Sequence, residues 1–226
     1  MQTINIVIDL LFGSDNELRQ IIWITLRMSF LSVTLSSAIG IPLGVILGCI
    51  KFPGRGVIIR ITTTMMGLPP VVAGLVVFLI LSRSGPLGHL KLLYTVTAMV
   101  SAQVVLIMPI IVGLTANIVG VRYTMILDTA QGIGLSFVMR LYYTLFECRR
   151  QMIAVLLTGF GRAISEVGAV QMVGGNIQFK TRVITTTIMM VTNMGNFHVA
   201  IALGVILLLI AFIVNGIAHF FSGEND

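Results

Sequence analysis

Two charged residues, Arg162 and Glu166, lie in a stretch, Gln151–Val173, that carries no other charge. Residues four apart share one face of a helix, so the spacing predicts that the two side chains pair. A lone charge inside a bilayer costs about 2.5–3.5 kcal/mol on insertion scales, so both side chains should face protein or a water-filled path. Two interpretations stay open: Arg162 contacts an anion that crosses the membrane, or the neutral pair fixes helix packing.

A second candidate is the Pro69-Pro70 dipeptide, which lies within the charge-free run Ile61–Ser82. Proline has no amide hydrogen and its ring clashes with the preceding turn, so a helix must kink or break there. Backbone groups freed within a membrane are tolerated only when they are buried in protein or face a cavity. The dipeptide is therefore either a gate element beside a path or a packing kink.

The composition indicates what surrounds these residues. Of the 226 residues, 57% are hydrophobic and only 10% are charged, whereas soluble domains carry about 25% charged residues. The surroundings must therefore be largely lipid. The net charge of +6 comes from basic residues placed between apolar runs, which indicates headgroup anchors rather than a nucleic-acid partner.

Each transmembrane helix needs about 20 mostly apolar residues. The apolar runs predict an all-α integral membrane protein with one domain, 18–221, after an N-terminal extracytoplasmic or interfacial segment, 1–17. Residues 122–150 are too polar to span, and they are predicted to form short helices on one membrane face. The basic residues place this loop and the C-terminus in the cytoplasm and the N-terminus outside. The five predicted transmembrane helices cover about 24–50, 58–82, 93–119, 151–173 and 197–221.

Sequence motifs for chemistry within the chain are missing. The sequence contains no GxxxxGK[ST] phosphate loop, no HExxH and no GxSxG, so we expect no ATP hydrolysis by this chain itself. Cys49 and Cys148 have no CxxC or His/Cys neighbours, and we interpret them as small apolar fillers rather than metal ligands. No catalytic residue, metal site or cofactor is predicted.

The segment Asp128–Gly134 resembles the EAA loop of ABC-importer permeases. Asp128 matches its acidic residue, Thr129 and Ala130 its two small residues, and Gly134 the glycine that permits a turn. Four further segments occur in an order that resembles the permease subunits of tungstate ABC importers, relatives of the molybdate and sulfate permeases. These segments are Met66–Gly74, Ser82–Gly88, Gly161–Val170 and Met172–Asn176, and the resemblance extends from about Leu18 to Phe221.

The resemblance implies a type I ABC-importer permease fold, located in the bacterial cytoplasmic membrane, that moves an oxyanion. Tungstate is the expected cargo, with molybdate or sulfate as the alternative, and a membrane-embedded enzyme or stand-alone channel as the alternative from another class. The implied partners are a pair of ABC ATPase subunits, an extracytoplasmic oxyanion-binding protein and a second copy of the chain. The residues implied to couple to the ATPase are Asp128, Thr129, Ala130 and Gly134. The candidates for the translocation path or gate are Arg162, Glu166, Pro69 and Pro70.

Overall fold

The structure of the chain is a computed structural model that describes residues 16–132 and 134–222, with backbone alone at 128–131 and 218–222. The predicted N-terminal segment 1–17 falls almost wholly outside these ranges. Every regular element within them is helical, which agrees with the all-α prediction. The α-helices are α1 (Asn16–Cys49), α2 (Arg55–Met66), α3 (Pro70–Leu81), α4 (Val96–Gly132), α5 (Phe137–Ile164), α6 (Gly168–Gly174), α7 (Ile184–Asn193) and α8 (Phe197–Ser222), and a short 3-10 helix covers Gly88–Leu90.

Three of the described helices are long and apolar enough to cross a membrane by themselves: α1, α4 over Val96–Leu127, and α8 over Phe197–Ile217. Two bent pairs, α2 with α3 and α5 with α6, pass the same test when each pair counts as one span. The described part of the chain therefore holds between three and five candidate spans. The five individual spans that the sequence predicts, with their boundaries, stay a prediction.

The chain breaks at the proline dipeptide, as the sequence predicts. Helix α2 ends at Met66 and α3 begins at Pro70. Pro69 has extended backbone angles, with φ −61° and ψ 129°, and Pro70 occupies the first helical position, where a missing amide hydrogen costs nothing. The break is therefore a direct consequence of proline geometry.

The structure of residues 122–150 differs from the predicted short helices. It does not form separate short helices, because α4 continues to Gly132 and α5 begins at Phe137. Neither Val121–Gln131 nor Phe137–Thr158 contains glycine or proline. Without a breaker, extending a helix adds one hydrogen bond per residue and needs no new nucleus. The two apolar helices consequently extend into the polar segment.

The described helices group into two compact units. Within the described residues, the first combines 16–32 with Pro69–Gln103 and 161–222, and the second combines Val33–Leu68 with Val104–Phe160. Buried apolar side chains from α1, α7 and α8 form a core in the first unit: Leu18, Ile21, Ile184, Leu203 and Ile206. A smaller core in the second unit contains Val45, Val119 and Cys148, with Cys49 packed against it. Both cysteines are free, which fits their interpretation as apolar fillers.

A row of glycines on α1 packs against α4 in the second unit. Gly40, Gly44 and Gly48 recur every four residues and face the same helix. A Cβ atom added at Gly44 would lie 2.6 Å from the Cβ of Thr115 and 2.8 Å from the Val112 carbonyl oxygen. This is the small-residue spacing that lets transmembrane helices approach closely, so that van der Waals contact holds them together.

Replacing Gly44 with valine is expected to destabilise the protein by about 3 kcal/mol, because the added methyl groups must push α1 away from α4. The matched control is Gly204→Val in α8, where an added Cβ meets nothing within 4 Å. The measurement is the midpoint of thermal unfolding of the purified chain in detergent. Equal midpoints for the two variants would contradict the close packing of α1 and α4.

Candidate functional site

The predicted pair between Arg162 and Glu166 is formed. Nη2 of Arg162 lies 3.5 Å from Oε2 of Glu166. The two side chains differ in accessibility: Arg162 is 36% exposed, whereas Glu166 is only 4% exposed. The carboxylate is thus buried in the protein, and the guanidinium is the partner that a ligand or water can reach. The pair satisfies the requirement that a buried charge has a partner.

The two residues do not share one continuous helix, which corrects the sequence-based expectation. Helix α5 ends at Ile164, and Glu166 lies in the connection before α6 begins at Gly168. Oε1 of Glu166 accepts a hydrogen bond of 3.2 Å from the backbone N–H of Ala169. The carboxylate therefore satisfies one of the amides that a helix start leaves without a partner. Arg162 and Glu166 consequently pair across a helix end.

Polar side chains from other helices of the first unit form hydrogen bonds around the break between α5 and α6. The hydroxyl of Thr185 donates to the carbonyl oxygen of Glu166 at 2.9 Å. Nε2 of Gln103 donates to the carbonyl oxygen of Ala163 at 2.7 Å, and Oε1 of Gln103 accepts from the hydroxyl of Ser32 at 2.6 Å. Gln103 and Ser32 are fully buried. Gln103 thus satisfies a carbonyl oxygen in the last turn of α5, Thr185 satisfies one in the connection that follows, and Ser32 orients Gln103.

Helix α3, which follows the proline break, packs on helix α6, which follows Glu166. A Cβ atom added at Gly74 of α3 would lie 2.7 Å from the Cα of Ala169 in α6. One added at Gly168 would lie 3.0 Å from Cγ2 of Val71. Two of the four predicted path residues, Pro70 and Glu166, therefore begin or precede helices that are in direct contact. A role as path or gate for Arg162, Glu166, Pro69 and Pro70 stays a prediction.

The predicted coupling residues lie where α4 ends. Helix α4 includes the backbone of Asp128, Thr129 and Ala130, but their side chains lie outside the described part of the chain. Gly134 has a left-handed φ of +72°, the conformation that glycine adopts without strain, so the predicted turn is present. A Cβ atom added at Gly134 would meet no described atom within 4 Å.

Helices α4 and α5, which precede and follow this turn, contact each other in the second unit. Nε of Arg122 lies 3.3 Å from Oε2 of Glu147. Beyond this ion pair, Tyr142 and Phe146 stack with ring centroids 6.3 Å apart, and the guanidinium of Arg149 lies 4.1 Å from the centroid of Phe146. Tyr142 and Phe146 are exposed. This aromatic strip was not predicted, although the spacing of four between Tyr142 and Phe146 is its sequence signal.

Comparison with known proteins places these features in a family. Residues 40–223 match the family model described as binding-protein-dependent transport system inner membrane component. The chain is 38% identical over 211 residues to the tungstate uptake system permease protein TupB of Peptoclostridium acidaminophilum, covering 93% of this chain and 92% of the relative.

Two further relatives differ in their sequence identity to this chain. The Campylobacter jejuni TupB is 37% identical over 213 residues, covering 93% of this chain and 88% of the relative. The sulfate transport system permease protein CysW of Escherichia coli K12 is 27% identical over 175 residues, 74% of this chain and 60% of the relative. Because the family model matches most of the sequence, the chain belongs to the family of binding-protein-dependent transport system inner membrane components, and it is a multi-pass membrane protein.

Proposed function

We propose that this chain is the membrane-spanning permease subunit of an ATP-driven ABC importer that moves tungstate across the cytoplasmic membrane. The observation that carries the proposal is the identity of 38% to a tungstate uptake permease over 93% of this chain. The similarity covers almost the full length of both proteins, so the proposal concerns the whole chain rather than one segment.

The break between α5 and α6 supports a role in handling an anion. Glu166 is buried and its oxygens contact Ala169 and Arg162, whereas Arg162 is the accessible member of the pair. A guanidinium fixed by a buried carboxylate can offer its remaining N–H donors to a passing oxyanion. In this proposal the proline break next to α3 allows α3 and α6 to move together as a gate.

The remaining parts of the proposal concern partners. A pair of ABC ATPase subunits supplies the energy and docks at the turn around Gly134, together with Asp128, Thr129 and Ala130. An extracytoplasmic oxyanion-binding protein delivers the cargo, and a second copy of the chain completes the pathway. The permease itself makes and breaks no covalent bond, and ATP hydrolysis occurs on the partner subunit.

Two alternatives remain to be tested. Molybdate or sulfate as cargo keeps the same class, and the lower identity of 27% to the sulfate permease favours tungstate over sulfate. A membrane-embedded enzyme or stand-alone channel would be a different class.

The experiment that separates the classes is co-purification from native membranes followed by ATPase assay. An ATPase subunit should accompany the tagged chain and should hydrolyse ATP faster when binding protein and tungstate are added, and isolation of the chain alone would contradict the proposal.

The proposed topology predicts that Ser136 is labelled only from the cytoplasm when it is replaced by cysteine. Ser136 lies in the connection between α4 and α5 and is exposed. The matched control is Ser84→Cys, also exposed, which the topology places outside. Both are made in a Cys49→Ala, Cys148→Ala background and treated with a membrane-impermeant maleimide on intact cells. We expect labelling of Ser84→Cys alone, and labelling of Ser136→Cys from outside would contradict the topology.

A further inference from the structure

A cavity of about 530 Å³ lies within the second unit, at the end of α1 and between α2 and α4. Its volume falls in the range of about 300–1,000 Å³ typical of small-molecule sites. The polar side chains that line it are those of Arg55, Thr62, Thr63, Asn117 and Thr124. None of the described residues that line the cavity is acidic. The cavity therefore has a positive charge and no carboxylate to neutralise it.

Arg55 uses only part of its hydrogen-bonding capacity within the protein. Its Nε donates to the carbonyl oxygen of Leu47 in the last turn of α1, at 2.6 Å. Among residues 16–132 and 134–222, neither terminal nitrogen of Arg55 has a hydrogen bond or an ion pair. A guanidinium carries five N–H donors, so most of them stay free for a ligand. Arg55 is also the first residue of α2, where a cation is unfavourable for the helix dipole.

The other polar side chains that line the cavity differ in whether they already donate a hydrogen bond within the protein. The hydroxyl of Thr63 donates to the carbonyl oxygen of Ile59, and the hydroxyl of Thr124 donates to the carbonyl oxygen of Val121. By contrast, Thr62 and Asn117 have no side-chain hydrogen bond within the described ranges. Asn117 lies in the part of α4 that is apolar enough to span a membrane. Asn117 is exposed, so its amide group is accessible to a ligand in the cavity.

We propose that this cavity binds a tetrahedral oxyanion, with Arg55 as the charged donor and with Thr62 and Asn117 as the neutral donors. Charge-assisted bonds from a guanidinium to an oxyanion are among the strongest in proteins. The ligand comes from one of two sources, the transported oxyanion or the phosphate of a lipid headgroup. The first source rests on the proposed function, whereas the second does not.

The test compares the wild-type chain with Arg55→Gln and Thr62→Val, after purification in a maltoside detergent that contains no phosphate. One arm measures tungsten retained after equilibrium dialysis against tungstate, and the other measures phospholipid that stays bound in native mass spectrometry. The matched control is Arg60→Gln, because Arg60 lies on the same helix, is exposed and does not line the cavity. Thr62→Val preserves side-chain shape, so it remains informative if Arg55→Gln lowers the yield of folded protein.

If the transported oxyanion binds here, Arg55→Gln should weaken tungstate binding at least about tenfold and Thr62→Val about threefold, with Arg60→Gln unchanged. If a lipid binds here, the same two variants should lose the retained phospholipid instead. Equal behaviour of Arg55→Gln, Thr62→Val and wild type in both arms would overturn the inference. Tungstate uptake by the assembled wild-type transporter is measured separately: normal uptake, with neither binding arm changed by the cavity variants, removes the site and leaves the proposed function standing.

Discussion

Replacing Arg162 with alanine is expected to destabilise the protein by about 3 kcal/mol, because the buried Glu166 carboxylate loses its only cationic partner among the described residues. The value lies at the low end of the range for broken buried pairs, since Arg162 is partly exposed and solvent screens its charge. The measurement is the yield and the thermal midpoint of the purified chain. We expect both to fall.

The matched variant is Glu166→Gln, which removes the negative charge but keeps an oxygen that can accept from Ala169. Its loss of stability should be smaller, because the partly exposed Arg162 can turn toward water. The double variant Arg162→Ala, Glu166→Gln should recover most of the stability that Arg162→Ala loses, because no buried charge is left without a partner. A normal yield for Arg162→Ala alone would contradict the structural importance of the pair.

The same double variant separates packing from transport. If the pair only fixes the helix end, a stable double variant should transport at close to the wild-type rate. If Arg162 contacts the anion, the double variant should assemble normally and transport poorly. Measuring uptake in proteoliposomes that contain equal amounts of assembled protein distinguishes these two outcomes.

Replacing Gly134 with tryptophan is expected to reduce transport at least about tenfold while leaving assembly intact, because a coupling turn in a groove of the ATPase has no room for an indole ring. A Cβ atom added at Gly134 meets no described atom within 4 Å, so we expect the clash to arise with the partner. The measurements are uptake and ATPase activity stimulated by the binding protein.

The control for this prediction is Gly134→Asn, because the φ of +72° strains any side chain by about 1–2 kcal/mol and asparagine tolerates it best. Asparagine should keep much of the coupling, whereas tryptophan should lose it. Normal stimulated ATPase activity and uptake in Gly134→Trp would remove this turn from the proposed coupling site. Equal losses in both variants would assign the effect to backbone strain instead of to the partner's groove.

Local chemistry explains what the sequence predicted correctly. Proline geometry predicted the break before Pro70, and it is present. The spacing of Arg162 and Glu166 predicted a pair, which forms at 3.5 Å. The glycine at position 134 predicted a turn, and Gly134 has a left-handed φ of +72°. Each of these features depends on a few neighbouring residues, so reading the sequence locally was enough. The side chains of Asp128, Thr129 and Ala130 lie outside the described part of the chain, and their role stays a prediction.

Features that depend on contacts between distant segments were missed. The break at Ser165–Val167 contains no proline or glycine, and it is held by Thr185 and Gln103 from other helices. The cavity at Arg55 needs α1, α2 and α4 to come together, so no single segment reveals it. The glycine row on α1 was visible as small residues at every fourth position, but its partner surface on α4 was not. Sequence patterns therefore identified the polar residues better than their surroundings.

The most direct test of the central claim is uptake by the reconstituted transporter, with its ATPase subunits and cognate binding protein, measured separately for tungstate, molybdate and sulfate. The account predicts ATP-dependent accumulation of tungstate that excess sulfate does not suppress and that disappears when this chain is omitted. Accumulation of sulfate or molybdate in preference to tungstate would contradict the proposed cargo. Flux of any of these anions through this chain without ATP or ATPase subunits would contradict the assignment as an importer permease.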